Sequence, residues 1–366
     1  WEAVIGLEIH AQIQAKSKLF SSSKTSFGIP INSAVSFLDA SLPGCLPVLN
    51  KQCIVAAIKA SHALNCSINE VSYFDRKHYF YADLPSGYQI TQHKKPVAIG
   101  GSLKYLAVDS NFKKVTEKEA RLIQIQLEQD SGKSLHDKSK SLIDLNRAGI
   151  GLLEIVTQPD FRSAADVVGF VKELQLLLQT IDVCDGKMEE GSLRVDVSVS
   201  IRRFGSFCLG TRTEIKNLNS IRSLGRAVSY EISRQIEIKE SGYEVQNETR
   251  YFHAENDITV PLRDKEGIHD YRFMPEPNLP PLILNTKGKN GTNIEDVLKD
   301  FPILPSEQRK KLVDLDHLSL AQSDVLVSHP FLFDIYTECS SNLTMKHHKM
   351  EIANFLINEV LYTVNK

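Results

Sequence analysis

Glycine and proline are scarce in this chain, at 19 and 14 of 366 residues, and the six cysteines at 45, 53, 66, 184, 208 and 339 form no CxxC pair. The first shortage excludes collagen-like repeats and low-complexity disorder. The second excludes a knuckle of paired zinc ligands and speaks against a disulfide scaffold, so reduced thiols in a reducing compartment are expected. No apolar run approaches the roughly 18 residues that suggest a membrane span. Nor does charge of one sign dominate: 43 Lys+Arg against 45 Asp+Glu leave a formal net charge of -2, so nucleic acid would have to be held by local patches and shape. The chain opens at Trp1 without a Met or a basic-then-apolar leader, and removal of a leader is the expected reason. With 42% hydrophobic residues, the chain is expected to fold as a soluble protein of two or three domains.

Four stretches alternate apolar and polar residues with the period of a strand that has two different faces. They are Ile5–Gln14, Ile123–Asp130, Leu193–Arg202 and the shorter Arg212–Lys216. Clean alternation predicts an antiparallel sheet, because strands of parallel sheets buried on both sides read as continuous apolar runs. Helical period appears at Ile54–Leu64, Ala164–Ile181 and Ser220–Ile238, the second opened by Ser163 and Asp166 in a capping-box arrangement. The fold class expected is therefore α+β, with helices on the apolar face of the sheet. Pro275, Pro277, Pro280 and Pro281, followed by the Lys/Gly/Asn stretch 285–290, put a domain boundary near residue 290. Beyond it, 306–315, 319–327 and 350–364 read as short helices, giving a domain over 1–290 and a small helical one over 291–366.

Two phosphate-binding motifs fail on inspection. Ser131-Gly132-Lys133-Ser134 lacks the earlier glycine of a P-loop, since that position is Leu127, and Gly149-Ile150-Gly151 lacks the third glycine of a dinucleotide fingerprint, since that position is Glu154. Lys346-His347-His348-Lys349 reads as a solvated helix start, because adjacent helical histidines diverge. The informative pattern is the polar strand faces. Glu8 and His10, Glu128 and Asp130, Arg194 and Asp196, and Glu214 and Lys216 each lie two apart and so project from one side of their strand. A solvated face explains any one pair. Together, on one sheet, they form an oxygen-rich site suited to Mg²⁺, with Arg194, Lys216, Arg76 and Lys77 able to offset a triphosphate. The pattern favours metal-assisted phosphoryl transfer without a P-loop and leaves the acceptor open.

A series of longer motifs runs in order from about residue 3 to residue 280: Val4-Ile5-Gly6-Leu7-Glu8-Ile9-His10, Leu42-Pro43-Gly44, Phe74-Asp75-Arg76-Lys77, Tyr88-Gln89-Ile90, Asp144-Leu145-Asn146-Arg147, Glu190-Gly191-Ser192-Leu193-Arg194-Val195-Asp196, Lys216-Asn217-Leu218-Asn219-Ser220 and Pro275-Glu276-Pro277. In these the chain closely resembles the B subunits of the tRNA-dependent glutamyl and aspartyl amidotransferases. The resemblance implies a catalytic domain of the glutamine synthetase/guanido kinase type, an antiparallel sheet forming a cradle, followed by a helical domain. It also implies the chemistry: ATP phosphorylates the γ-carboxylate of Glu-tRNA(Gln), and ammonia displaces phosphate to give Gln-tRNA(Gln). The partners implied are an amidase (the A component of the assembly), which releases ammonia from glutamine, and a small third component that clasps the pair.

By position in those motifs, Glu8, His10, Glu128 and Glu214 would coordinate Mg²⁺, with Asp196 as a further candidate. Arg194, Lys216 and Lys77 would contact phosphate, and Asp75, Arg76 and Tyr81 would shape the acceptor-end pocket. Tyr79 and Tyr88 are expected in the core. The chain departs from the family pattern at Gln126-Leu127-Glu128-Gln129-Asp130, where members often read His-x-Glu-Glu-Asp. Cys45 stands alone, so no zinc is expected, and a tRNA-gripping tail domain usual in the family is missing after Lys366. The drift and the missing Met point to a mitochondrial matrix member, with a bacterial cytoplasmic one as the alternative. Two other functions stay open: a non-catalytic tRNA-binding scaffold, and a stand-alone small-molecule carboxylate-amine ligase.

Overall fold

A computed structural model describes residues 1–108, 115–137, 139–262, 270–284, 292–341 and 346–364. In chain order, β1 (Glu2–Gln12) and α1 (Lys51–Ala63) are followed by β2 (Ser67–Ile68), β3 (Val71–Ser72), β4 (Asp75–His78), β5 (Tyr88–Thr91), β6 (Ala98–Ile99), β7 (Ser102–Val108) and β8 (Val115–Gln129). Next come β9 (Lys133–Asp137), β10 (Lys140–Asp144), β11 (Gly151–Thr157), α2 (Ala164–Thr180), β12 (Leu193–Arg202), β13 (Thr213–Leu218), α3 (Ile221–Glu240), β14 (Thr249–His253), β15 (Ile258–Pro261), β16 (Met274–Pro275), β17 (Leu282–Ile283) and α4 (Ile294–Leu298). The chain divides into two compact units, one of Trp1–Tyr105 with Lys118–Phe301 and one of Leu106–Glu117 with Pro302–Lys366.

The first unit is built on a sheet ordered β15-β14-β13-β12-β1-β11-β8-β6-β2, with β7 also on β8. β13 pairs with β14 in parallel, so the all-antiparallel expectation is corrected to a mixed sheet. The parallel pair needs a crossover, and α3 lies between the two strands in sequence. Alternation sorts the faces as the sequence suggests. Ile5, Ile9, Ala11, Val197 and Val199 are fully buried, as are Phe170, Leu174 and Leu178 of α2 and Leu224, Ala227 and Val228 of α3. α2 packs on α3, and α3 on β12. Ser163 caps α2 by accepting from the Asp166 backbone N–H at 3.2 Å; the Asp166 carboxylate reaches the Arg162 N–H at 3.1 Å rather than closing a capping box on Ser163.

Two irregularities position the polar face. Between Val195 and Val197 the β12–β13 register shifts, so that Val195 pairs with Leu218 but Val197 with Ile215. Asn217, at φ +62°, takes up the extra residue in the left-handed region that Asn tolerates. Gly149 (φ +85°) has no room for a side chain: a Cβ would lie 2.6 Å from Asp39 Oδ1. That close approach, not phosphate binding, accounts for the glycine. Asp39 is itself paired with the fully buried Lys18 ammonium at 3.0 Å, which pins the loop after β1.

A second small sheet, β16-β4-β5, carries Asp75, Arg76 and Lys77. The second unit holds α5 (Pro305–Asp314), α6 (Leu320–Ser328), α7 (Pro330–Ser340) and α8 (Lys346–Phe355), continued by a π turn (Leu356–Val360) and α9 (Leu361–Val364). Periodicity locates all of these but α7, which opens on proline directly after α6. Lys349 is not a merely solvated charge, because it pairs with Asp316 at 2.7 Å. The stretch 285–290 and the Lys346 and His347 side chains lie outside the described residues. Of the six cysteines, Cys53 and Cys184 are buried, and burial pushes both thiols up to about 12, which disfavours the thiolate.

Candidate active site on the polar face of the sheet

Four adjacent strands, β12-β1-β11-β8, bring the acidic side chains together. In β1, His10 is the Cα partner of Glu154 in β11 on one side and of Arg194 in β12 on the other, while Glu8 is the partner of Asp196. In β8, Glu128 lies opposite Leu152, one strand further out. Residues paired across neighbouring strands share a face, so these groups converge without any loop being involved.

His10 Nε2 is 3.5 Å from Glu8 Oε1 and 3.8 Å from Glu128 Oε1. Lys77, from the small sheet, places its ammonium 3.8 Å from Glu128 Oε2, which is buried and has no hydrogen-bond partner among the described residues. Among the described residues, Glu8, His10 and Glu154 offer ligand atoms all within 4.8 Å of one another. Burial pushes the Glu8 carboxyl above the ordinary glutamate value, opposed mainly by Lys77. Glu154 is pushed well above it, by burial and then by the charges of Glu128 and Glu8. Burial pulls His10 down, with Glu128 opposing, which favours the neutral imidazole that can ligate a metal. Burial also works against the charge on Lys77, yet Glu128, Glu154 and Glu8 together hold its ammonium above the ordinary lysine value. These three carboxyls are opposed by Lys77 and, at Glu8, by Lys216. Such a set lacks positive charge, and its oxygen-rich donors with one imidazole fit a divalent cation.

The other expected site residues flank this cluster. Arg194 is held bidentately by Asp130 at 2.9 and 3.0 Å, and Arg147 stands 3.7 Å from the same carboxylate. Lys216 lies 3.5 Å from Asp196 and 3.7 Å from Glu214. Burial lowers that ammonium, but Asp196, Glu214 and Glu8 more than offset it. Asp75 is buried and accepts from the Lys94 backbone N–H at 3.0 Å. Arg76 binds Glu276 through two nitrogens at 2.6 and 3.1 Å, and its guanidinium lies 4.3 Å from the centre of the Tyr88 ring. Tyr81 is exposed and meets Tyr79 edge-on, with ring centres 5.5 Å apart. Tyr79 and Tyr88 are only half-buried, which corrects their expected place in the core: they belong to the aromatic wall beside Lys77 and Arg76.

Residues 3–289 match the GatB/GatE catalytic domain family. The chain belongs to that family. Among curated proteins it is 50% identical over 374 residues to the Drosophila melanogaster protein named as the mitochondrial B subunit of glutamyl-tRNA(Gln) amidotransferase, covering all of this chain and 72% of that one. The human protein of the same name is 52% identical over 347 residues, 92% of this chain and 62% of its own length. A Wolbachia pipientis protein named as the B subunit of aspartyl/glutamyl-tRNA(Asn/Gln) amidotransferase is 44% identical over 366 residues, all of this chain and 74% of its own. The residues matched to the family include every member of the acidic cluster.

Glu154 is the residue that sequence reasoning missed. It sits in Gly151–Thr157, which reads as a continuous apolar strand, and it served only to reject a dinucleotide motif. The signal was there: a lone carboxylate inside an apolar run has to be paired or to hold a ligand once buried.

Proposed function

We propose that this chain is the component of a tRNA-dependent amidotransferase that activates the γ-carboxylate of Glu-tRNA(Gln) with ATP, in the mitochondrial matrix. Residues 1–290 form a catalytic cradle of the glutamine synthetase/guanido kinase type, and residues 291–366 form a helical domain. The observation that carries the reading is the convergence of Glu8, His10, Glu128 and Glu154 under the Lys77 ammonium on one face of the sheet. The names of relatives in insects, humans and bacteria support the substrate, and the mitochondrial names support the compartment.

Glu8, His10 and Glu154, with Glu128 beside them, would hold Mg²⁺, which supplies charge neutralisation to nucleotide phosphates when bound. Lys77 and Lys216 present ammonium groups at the two flanks of the cluster, where they would stabilise the charge spread over the transferring phosphoryl group. Asp130 fixes the plane of the Arg194 guanidinium, so Arg194 can meet a phosphate oxygen without first losing rotamer freedom. Arg76, locked by Glu276 and stacked on Tyr88, builds with Tyr81 a wall suited to an acceptor-end base. A carboxylate is a poor acyl donor; once a γ-carboxylate oxygen has taken the terminal phosphoryl group of ATP, ammonia can attack the carbonyl carbon and expel phosphate. That ammonia comes from a partner amidase, with a small third component completing the assembly.

The test is ATP-dependent phosphate release and Gln-tRNA(Gln) formation by the assembled complex, with and without Glu-tRNA(Gln). Both should require the tRNA, and both should fall about 100- to 1,000-fold in Glu8→Gln. Unchanged turnover in Glu8→Gln would mean a non-catalytic scaffold, and phosphate release without tRNA a small-molecule ligase.

A further inference from the structure

The edge of β8 next to the acidic cluster is closed in an unusual way. β6 pairs with β8 only at Gln124 and Ile125. Further along, side-chain amides join β8 to the strand pair that carries Lys77. Gln92 Oε1 accepts from the Leu127 N–H at 3.1 Å, and Gln89 Nε2 donates to the Gln129 carbonyl at 2.8 Å. Gln129 Oε1 accepts in turn from the Ile90 N–H at 3.4 Å. Gln126 stands at the centre of this clasp and is only 2% exposed.

Its amide is fully committed. Nε2 donates one hydrogen to Glu154 Oε2 at 2.7 Å and the other to Thr91 Oγ1 at 3.0 Å, while Oε1 accepts from Gln124 Nε2. A carboxamide suits this combination of two donors and one acceptor. A carboxylate would set a further negative charge against Glu154, and a neutral imidazole has a single N–H to give. Leucine fills the space and gives none. The amide therefore does two things without adding charge: it fixes one oxygen of Glu154, and it ties Thr91, at the end of β5, to the same point. β5 pairs with β4, where Gln89 is the partner of Lys77. The acid and the lysine that face each other across the cluster are thus referenced to one side chain.

We propose that Gln126 is a positioning residue of the cation site, orienting the Glu154 carboxyl as a ligand and setting the strand that presents Lys77. This rests on the cation reading of the cluster given above, and the test separates the two. Mn²⁺ binding to the full chain in its assembled complex is measured from the free-ion electron paramagnetic resonance signal, without nucleotide or tRNA. The intact complex should bind Mn²⁺, and Glu8→Gln should abolish binding at this site. Gln126→Leu should weaken it about tenfold, in line with the loss typical when a group supporting a metal ligand is removed. In the amidation assay the same change should raise the half-saturating Mg²⁺ concentration by a similar factor. Thr91→Val, which removes only the second anchor, should give a smaller shift, about threefold, and serves if Gln126→Leu does not fold. Wild-type affinity in both Gln126→Leu and Thr91→Val would overturn the positioning role while leaving the cation site standing. Failure of the intact complex to bind Mn²⁺ would overturn the cation reading and this proposal with it.

Discussion

Glu231 and the glutamates of the polar face, in the same unit, are treated in opposite ways. Glu231, on α3, is fully buried and fully satisfied: Arg234 donates to it at 2.9 and 2.7 Å, Gln235 at 2.9 Å and Thr259 at 2.9 Å, with Arg250 at 3.7 Å. Burial alone would raise its carboxyl, but those donors win and hold it below the ordinary glutamate value. Glu154 and Glu8, on the polar face, are pushed the other way, and Glu128 keeps an oxygen with no hydrogen-bond donor among the described residues. A carboxylate that only holds elements together is given its donors by the fold. In the proposed reading, one that accepts a ligand is left short of them.

The sharpest way to break this contrast is to remove each side in turn. Glu231→Ala should cost about 3–5 kcal/mol of unfolding free energy, read from urea denaturation, because Arg234 and Arg250 lose the partner that compensates their burial. Glu154→Gln should do the reverse in cation-free protein, raising stability by about 1 kcal/mol as like charge is removed, while Mn²⁺ binding is lost. If Glu154→Gln destabilised the cation-free protein, the idea that this cluster is held short of positive charge would fail. The smallest effect is a pH trend. Because folding lowers the Glu231 value, its contribution is complete above the ordinary value of 4.5 and fades as pH falls through the lower folded value. The stability gap between Glu231→Gln and the unsubstituted protein should therefore narrow on acidification below about pH 4.5.

Much of this arrangement was legible from residue order. Leu193–Arg202 announces its two faces by strict alternation, and β12 spans those same residues. The pairs Glu8/His10 and Arg194/Asp196 follow directly from period 2. What could not be read is what depends on partners distant in sequence. The bidentate pairing of Arg194 with Asp130, 64 residues away, is set by the β8-β11-β1-β12 order, and nothing local encodes it. The parallel β13–β14 contact is equally silent, because β14 is a short strand placed by the length of α3. Glu154 escaped for a different reason: β11 is central and buried, so its single acid was lost in an apolar run.

The register shift at Asn217 carries a consequence for how this protein tolerates change. With Val195 opposite Leu218 and Val197 opposite Ile215, both apolar residues of β13 face the helices while Glu214 and Lys216 face the acidic cluster. Excising one residue there would act as a frameshift in shape rather than in code: with Leu218 still anchored, Glu214 and the residues around it would exchange sides, turning carboxylate into core and isoleucine into water. Insertions in a loop between strands leave the side-chain directions of those strands untouched, but at this position chain length is itself part of the chemistry.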